Sequence, residues 1–135
     1  LLDYSKEEFD IEPIVTSIHL NGMSFGQEAL IHKDSSDGSH IFFVLFFNDD
    51  MNVYDGGDFQ TYISFDNSVN NINHGNSEVR YSIRPLSGRF IIGDARILHR
   101  GMAPTRFYKN IRLSMAVKMK FDDYEGSMKK LGFII

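Results

Sequence analysis

Residues 41–47 read I-F-F-V-L-F-F, an unbroken apolar run that indicates a β-strand covered on both of its faces. The run is far shorter than the ~20 apolar residues that a membrane-spanning helix needs. Phe occurs 12 times among the 135 residues and Trp is absent. Because aromatic side chains fit a pleated, half-buried surface, this composition favours a mainly β domain.

Short strands separated by turn signals flank this run on both sides. The sequence predicts a strand over residues 14–20, a hairpin turn at Asn21-Gly22 and a returning strand over 23–32. Further strands are predicted over residues 57–65, 78–85, 89–94, 98–103 and 111–119. About eight strands at this spacing are typical of a jelly-roll sandwich.

The ends of the chain differ from this pattern. Ser5 and Glu8 form a capping box, which predicts a short N-terminal helix that Pro13 ends. Residues 66–76 hold five Asn and predict an exposed loop. A short helix is predicted over 126–131, before an apolar end at 132–135 whose burial would allow a homo-oligomer. We expect one domain over residues 1–135, with a core at about 14–120.

The overall charge and the missing cysteines limit the function classes. A net charge of −4 and a pI near 5.7 argue against a nucleic-acid partner. No signal peptide or membrane-spanning run is seen, so a cytoplasmic protein is expected. The chain lacks an initiator Met, which suggests a partial sequence. Because Cys is absent, any metal must be held by His, Asp or Glu.

An H-x-D pair and a later histidine are the candidate metal ligands. His32 and Asp34 are two residues apart, so in an extended chain their side chains project to the same face. His99 opens a predicted strand in an apolar segment, which favours it as the third ligand. Two His and one carboxylate leave open positions on the metal, as in non-haem iron(II) oxygenases. The alternatives are a solvated loop pair at 32–34 and a hydrogen-bonded core histidine at 99.

Arg112 and Ser114 form an R-x-S pair in the last predicted strand. Alternation places these two side chains on one face of the strand and Leu113 on the other. A buried arginine needs an anionic partner, because an unpaired internal charge is costly. An inward-facing pair would therefore make a receptor for a carboxylate. The alternative is that Arg112 snorkels on the outer face.

Six segments share the order of one enzyme family: H-K-D (32–34), I-F-F-V-L-F-F-N-D-D (41–50), Y-D-G-G-D-F (54–59), I-R-P-L-S-G-R-F-I-I-G-D (83–94), L-H-R-G (98–101) and R-L-S (112–114). In this order they resemble the prolyl-4-hydroxylase-like branch of the 2-oxoglutarate/Fe(II) dioxygenases. The resemblance covers roughly residues 14–120. It implies a double-stranded β-helix, which is a form of jelly roll.

The resemblance also implies roles for the candidate residues. His32, Asp34 and His99 would bind Fe(II), Arg112 would pair with the distal carboxylate of 2-oxoglutarate, and Ser114 would assist Arg112. The implied activity is hydroxylation of a substrate with release of succinate and CO2, with ascorbate as an optional reductant. Prolyl peptides are the leading substrate, and small molecules are the alternative.

Further residues take their expected places from the resemblance. Gly56 and Gly57 would make the tight turn before the next strand, and Asp58 would shape the mouth of the site. Pro85 and Gly88 would make the turn that leads towards the strand of His99.

One departure from the family affects cosubstrate binding. Phe46 stands where many relatives carry a tyrosine, and Tyr62, Tyr81 or Gln27 are the candidates to replace its hydroxyl group. The Asn-rich insertion at 66–76 is a second departure. Neither departure changes the candidate ligands.

Two groups of side chains have both a functional and an ordinary interpretation. Four phenylalanines could form a dry wall of the site or simply pack in the core: Phe42, Phe43, Phe46 and Phe59. Five basic residues could form a rim for an acidic substrate or an ordinary solvated surface: Lys33, Arg96, Arg100, Arg106 and Lys109.

Two other function classes stay open at this stage. A cupin-like metalloprotein that does not use 2-oxoglutarate would normally place more His ligands close together, unlike His19, His40 and His74. A non-catalytic jelly roll would bind a sugar or a protein partner instead.

Overall fold

The computed structural model describes residues 12–64 and 77–130. The predicted N-terminal helix, the Asn-rich loop at 66–76 and the apolar end at 132–135 lie outside these residues. Within the described ranges, no helix is long and apolar enough to cross a membrane.

Seven strands and one helix make up the described part of the chain. In chain order they are β1 (Ile14–Met23), β2 (His40–Phe46), β3 (Phe59–Ser64), β4 (Ser77–Ile83), β5 (Phe90–Asp94), β6 (Leu98–Gly101), β7 (Arg112–Lys120) and α1 (Tyr124–Lys130). The prediction of a mainly β protein with a short C-terminal helix is confirmed. About eight strands were predicted, and the described residues contain seven.

The strands form two antiparallel sheets. One sheet has the order β1-β7-β2-β5 and the other the order β4-β3-β6. β7 lies between β1 and β2, so Ser114 is paired with Asn21 on one side and with Phe46 on the other. β3 lies between β4 and β6, where Thr61 is the partner of His99. The two long-range pairings of β7 place the predicted R-x-S pair in the middle of a sheet.

An apolar core joins the two sheets. Phe42, Val44 and Phe46 project from β2 and pack with Phe59 of β3, all four being buried. Each buried aromatic or aliphatic side chain of this kind stabilises the fold by roughly 1.5–3 kcal/mol. On the other face of β2, Ile41 is buried against a separate cluster. The strand predicted from the apolar run is thus covered on both faces near its start.

The hairpin predicted at Asn21-Gly22 is wrong. β1 continues through both residues, whose backbones pair with β7. A Cβ on Gly22 would lie 3.0 Å from Cγ2 of Ile111, so glycine here permits close packing. The chain turns later, at Gly26 with a φ of +85°. The returning strand predicted over 23–32 shrinks to a single bridge at His32, because the long ladder with β7 satisfies more backbone groups than a local hairpin would.

Candidate metal centre

The segment before β2 is held against β6 by backbone hydrogen bonds. The His32 N–H donates to the His99 carbonyl at 3.0 Å, and the His99 N–H donates to the His32 carbonyl at 2.9 Å. The Asp34 N–H donates to the Ala95 carbonyl at 2.9 Å. This antiparallel bridge brings the two halves of the predicted ligand set together.

The side chains of His32, Asp34 and His99 converge on one point. One potential ligand atom from each residue lies within 4.8 Å of the other two. His99 Nε2 is 3.6 Å from Asp34 Oδ2, and His32 Nε2 is 3.7 Å from Asp34 Oδ1. His99 is buried, whereas the His32 side chain is half-exposed. The group is therefore open to the cavity on the side of His32.

Both histidine rings are held in the orientation that a metal needs. His32 Nδ1 lies 2.8 Å from the Leu30 carbonyl, and His99 Nδ1 lies 2.8 Å from the Ile97 carbonyl. A carbonyl can only accept, so each Nδ1 carries the proton and donates it. The Nε2 lone pairs are then left free to coordinate a cation.

The surroundings of His99 favour its neutral form. Its ring packs 4.6 Å from the Phe42 ring and 5.3 Å from the Phe59 ring, measured between centroids. Burial among these rings lowers the pKa of His99 below its ordinary value, although the Ile97 carbonyl and Asp34 act in the opposite direction. A neutral imidazole is the state that binds metals.

This donor set fits a divalent transition metal. Two imidazole nitrogens and one carboxylate, with no thiolate, suit Fe(II) and leave coordination positions unfilled. A closed structural zinc site would need a fourth protein ligand. Among the described residues, no fourth His, Asp or Glu belongs to the group.

Arg112 is buried and faces inward, so the outer-face alternative is wrong. Its side chain is 2% exposed. The guanidinium donates from Nε to the Gly57 carbonyl at 2.6 Å and from Nη1 to Ser114 Oγ at 3.3 Å. It also lies 5.2 Å from the centroid of the Phe46 ring. Burial lowers the pKa of Arg112 to about 10, which leaves the group a cation at neutral pH.

The turn at Gly56 and Gly57 shapes the pocket of this arginine. Both residues have positive φ values, +66° and +77°, as a tight turn requires. A Cβ on Gly57 would lie 2.9 Å from Arg112 Cδ. The predicted turn is confirmed, and glycine at 57 also leaves space for the guanidinium. Asp58 lines a neighbouring cavity, and its charge opposes the lowering of the Arg112 pKa, so its part in shaping the mouth of the metal site stays a prediction.

One cavity contains both the ligand group and the arginine pair. Its volume is about 540 Å³. Its lining includes all five residues named as site candidates: His32, Asp34, His99, Arg112 and Ser114. Strands of both sheets contribute to the wall, among them β1, β6 and β7.

The phenylalanines take different positions. Phe59 lines the cavity, and Phe42 backs the ring of His99. Phe46 is covered by Arg112. Phe43 packs in the separate cluster on the opposite face of β2, so its suggested place in the wall is wrong.

The hydroxyl candidates and the residues suggested as a basic rim are not part of the cavity lining. Tyr62 donates its hydroxyl to Gln60 Oε1 at 2.6 Å, Tyr81 is 57% exposed, and Gln27 accepts from Ser24. None of the three candidates lines the cavity. The same holds for the five basic residues suggested as a rim, namely Lys33, Arg96, Arg100, Arg106 and Lys109.

Three further polar residues of the lining were not predicted as site residues. Asn21 of β1 is one of them, and it is the pairing partner of Ser114. His19 of β1 faces the cavity without joining the ligand group. Lys118 of β7 places Nζ 2.7 Å from Asp34 Oδ1. The alternation that puts Arg112 and Ser114 on the inner face extends to Lys118, so the same signal could have identified it.

No protein-family model matches the chain, and no curated protein matches it. Solved structures match its fold. It is similar to a Pseudomonas putida prolyl-4-hydroxylase at 17% identity, with a TM-score of 0.56 over 77% of this chain and 50% of the other. It is similar to a 2OG-Fe(II) oxygenase family oxidoreductase from Burkholderia pseudomallei at 16% identity, with a TM-score of 0.58 over 82% and 46%.

A third structure is a prolyl hydroxylase from Trichoplax adhaerens in complex with a hypoxia inducible factor oxygen degradation domain peptide fragment. The identity is 17% and the TM-score 0.58, over 88% of this chain and 50% of the other. At such identities the likeness establishes the fold, and the predicted jelly roll is confirmed. The chain spans about half the length of these three proteins.

Proposed function

We propose that the chain is an Fe(II)- and 2-oxoglutarate-dependent oxygenase that hydroxylates its substrate. The observation that carries this proposal is the shared cavity, with a His-Asp-His group in its wall and a buried arginine beside a serine hydroxyl in the same wall. A structural metal site has no use for a buried arginine in the same cavity, and an arginine that served only as a surface charge would be exposed to solvent. The fold likeness to 2OG-Fe(II) oxygenase structures supports the same reading.

The proposed roles follow from the side chains. His32 and His99 would present Nε2 to Fe(II), together with a carboxylate oxygen of Asp34. Arg112 would hold the distal carboxylate of 2-oxoglutarate, because a buried guanidinium has a strong preference for a planar anion. Ser114, 3.3 Å from Arg112 Nη1, would add a hydroxyl donor to that carboxylate.

When bound, Fe(II) and 2-oxoglutarate would supply the activation of O2 and release succinate and CO2. The protein would hold the reactants in place and exclude water from part of the site. Phe42 and Phe59 pack against His99 on the buried side of the group, where they keep water away from one ligand.

For the substrate we propose a prolyl peptide. The support is the likeness in fold to two prolyl hydroxylases, one of them solved with a peptide fragment. The half-exposed side of His32 provides an approach to the group from solvent. The direct test is mass spectrometry of prolyl peptides after incubation, where hydroxylation adds one oxygen atom.

The proposed chemistry is tested by anaerobic titration of the Fe(II)-loaded protein with 2-oxoglutarate. We expect the weak visible metal-to-ligand charge-transfer band of a chelated 2-oxo acid. In Arg112→Ala the apparent Kd for 2-oxoglutarate should rise roughly 10- to 100-fold while iron is retained, because charged hydrogen bonds are lost. Arg80→Ala, at an exposed position of β4, is the matched control and should titrate like the wild type.

The titration also separates the competing functions. An iron-loaded wild type that shows no band and no conversion of 2-oxoglutarate to succinate would overturn the proposal. A metal-dependent cupin-like activity or a non-catalytic binding domain would then be the better account.

A further inference from the structure

Lys118 lies on the inner face of the strand that carries Arg112. Arg112, Ser114, Ala116 and Lys118 alternate along β7, and all four line the cavity. At ~3.3 Å per residue, the Cα atoms of Arg112 and Lys118 are roughly 20 Å apart. The two cations therefore serve opposite ends of the site, and Lys118 belongs to the end that holds the ligand group.

The ammonium of Lys118 is bound to one oxygen of Asp34. Lys118 Nζ lies 2.7 Å from Oδ1, and the Asp34 side chain is 9% exposed. The other oxygen, Oδ2, is the one that lies 3.6 Å from His99 Nε2. The two oxygens of this carboxylate thus have different neighbours, although His32 Nε2 is also 3.7 Å from Oδ1.

We propose that Lys118 is a positioning residue that limits Asp34 to one metal-binding oxygen. This inference rests on the proposed metal site. Carboxylates bind cations through one oxygen or through both. With Oδ1 held by Lys118, Asp34 offers Oδ2 alone, and a six-coordinate metal bound by His32, His99 and Asp34 keeps three positions open.

The number of open positions decides what the site can accept. If Asp34 chelated the metal through both oxygens, a fourth position would be filled and two would remain. Two positions suffice for a chelating 2-oxo acid and leave none for a further small molecule. Lys118 would thereby keep the third position free, without touching the reacting atoms.

The test counts water molecules on bound Mn(II), an ion that accepts the same nitrogen and oxygen ligands. Electron paramagnetic resonance line broadening in 17O-enriched water reports this count, and no 2-oxoglutarate is present. The wild type should hold three waters. Lys118→Met should hold two, because Asp34 is released to bind through both oxygens, and Lys118→Arg should restore three. Lys120→Met is the matched control on the same strand and should keep three.

The other outcomes would contradict either this inference or the proposed function. Two waters on the wild type would overturn the inference without any variant. Three waters on a folded Lys118→Met would also overturn it, as would a folded Lys118→Met that no longer binds Mn(II). If Lys118→Met does not fold, Lys118→Gln takes its place with the same expectation. A wild type that binds Mn(II) with three waters but gives no 2-oxoglutarate band would contradict the proposed function and leave this inference standing.

Discussion

His32 and His99 are direct partners across a two-residue antiparallel bridge. Their backbones exchange hydrogen bonds of 3.0 and 2.9 Å, and their ring centroids are 4.6 Å apart. Each ring is held by the carbonyl two residues earlier in the chain, at Leu30 or Ile97. The orientation of both rings is therefore set by backbone that the fold itself holds in place, so the candidate metal site is organised by the protein alone.

Removing one imidazole from this pair should abolish useful metal binding. We expect His99→Ala to weaken Mn(II) or Fe(II) affinity by at least about 100-fold, measured by anaerobic calorimetry. His40→Ala is the control, since His40 pairs with Asp37 and does not line the cavity. Equal losses in the two variants would argue against the assignment of His99.

Gly57→Ala should weaken the proposed binding of 2-oxoglutarate more than its backbone strain alone explains. The φ of Gly57 is +77°, and an added Cβ would press on Arg112 Cδ at 2.9 Å. Gly88 has a nearly equal φ of +76°, and a Cβ added there would have no atom within 4 Å. Gly88→Ala therefore measures the backbone strain alone. Both variants should lose about 1–2 kcal/mol of stability.

The two glycine variants should differ in their affinity for 2-oxoglutarate, the proposed cosubstrate. The Kd should rise severalfold in Gly57→Ala and stay near the wild-type value in Gly88→Ala. Parallel titrations of the two iron-loaded variants measure this difference. Matching Kd values would show that the space beside Arg112 has no part in binding.

Tyr108 should make the stability of the fold sensitive to alkaline pH. Burial, followed by its hydrogen bond to Asp50, raises the pKa of Tyr108 to about 12. An unfolded tyrosine ionises near pH 10, so between about pH 10 and 12 the unfolded state binds fewer protons and stability falls as the pH rises. Tyr108→Phe has no hydroxyl group to ionise, so it should not show the loss of stability that the raised pKa of Tyr108 causes in this pH range.

The Tyr108 prediction is checked by the difference in Tm between wild type and Tyr108→Phe. Near pH 8 the variant should be less stable by about 1–2 kcal/mol, because it loses hydrogen bonds with Asn48 and Asp50. The difference in stability between wild type and Tyr108→Phe should become smaller above pH 10. A gap of constant size up to pH 11 would contradict the raised pKa.

Gly93→Ala should destabilise the wall behind His99. A Cβ at this position would collide with the ring of Phe42, which packs on the His99 ring. Overpacking of this kind typically costs about 1–3 kcal/mol. The double variant Gly93→Ala with Phe42→Leu should lose less than the sum of the single variants, since the smaller side chain relieves the collision. Additive losses in denaturant unfolding would rule out this contact as the cause.

Much of the fold and the site was readable from local patterns. All but the last residue of the apolar run at 41–47 lies in β2, and strict alternation placed Arg112 and Ser114 on one face of β7. The H-x-D spacing predicted that His32 and Asp34 point to one side, and their ligand atoms do lie close together, although only His32 is part of a β-bridge. These inferences succeed because period-two alternation is a property of the strand itself.

The errors arose where a local preference competes with a distant partner. Asn21-Gly22 is a strong hairpin signal, yet both residues lie inside β1 because β7 is available to pair with them. This outcome could not be derived without knowing which strands are neighbours.

The sequence by itself determined which functional groups are available to the site: two imidazoles, a carboxylate and a guanidinium, with no thiolate. It also determined which side chains share a face of each strand. Only the tertiary structure decided that His99 is the backbone partner of His32, and that Lys118 reaches Oδ1 of Asp34. The physical reason is that such contacts depend on the register between segments far apart in the chain. That register depends on how the hydrophobic patterns of several strands and the turns between them fit together, so one segment alone does not specify it.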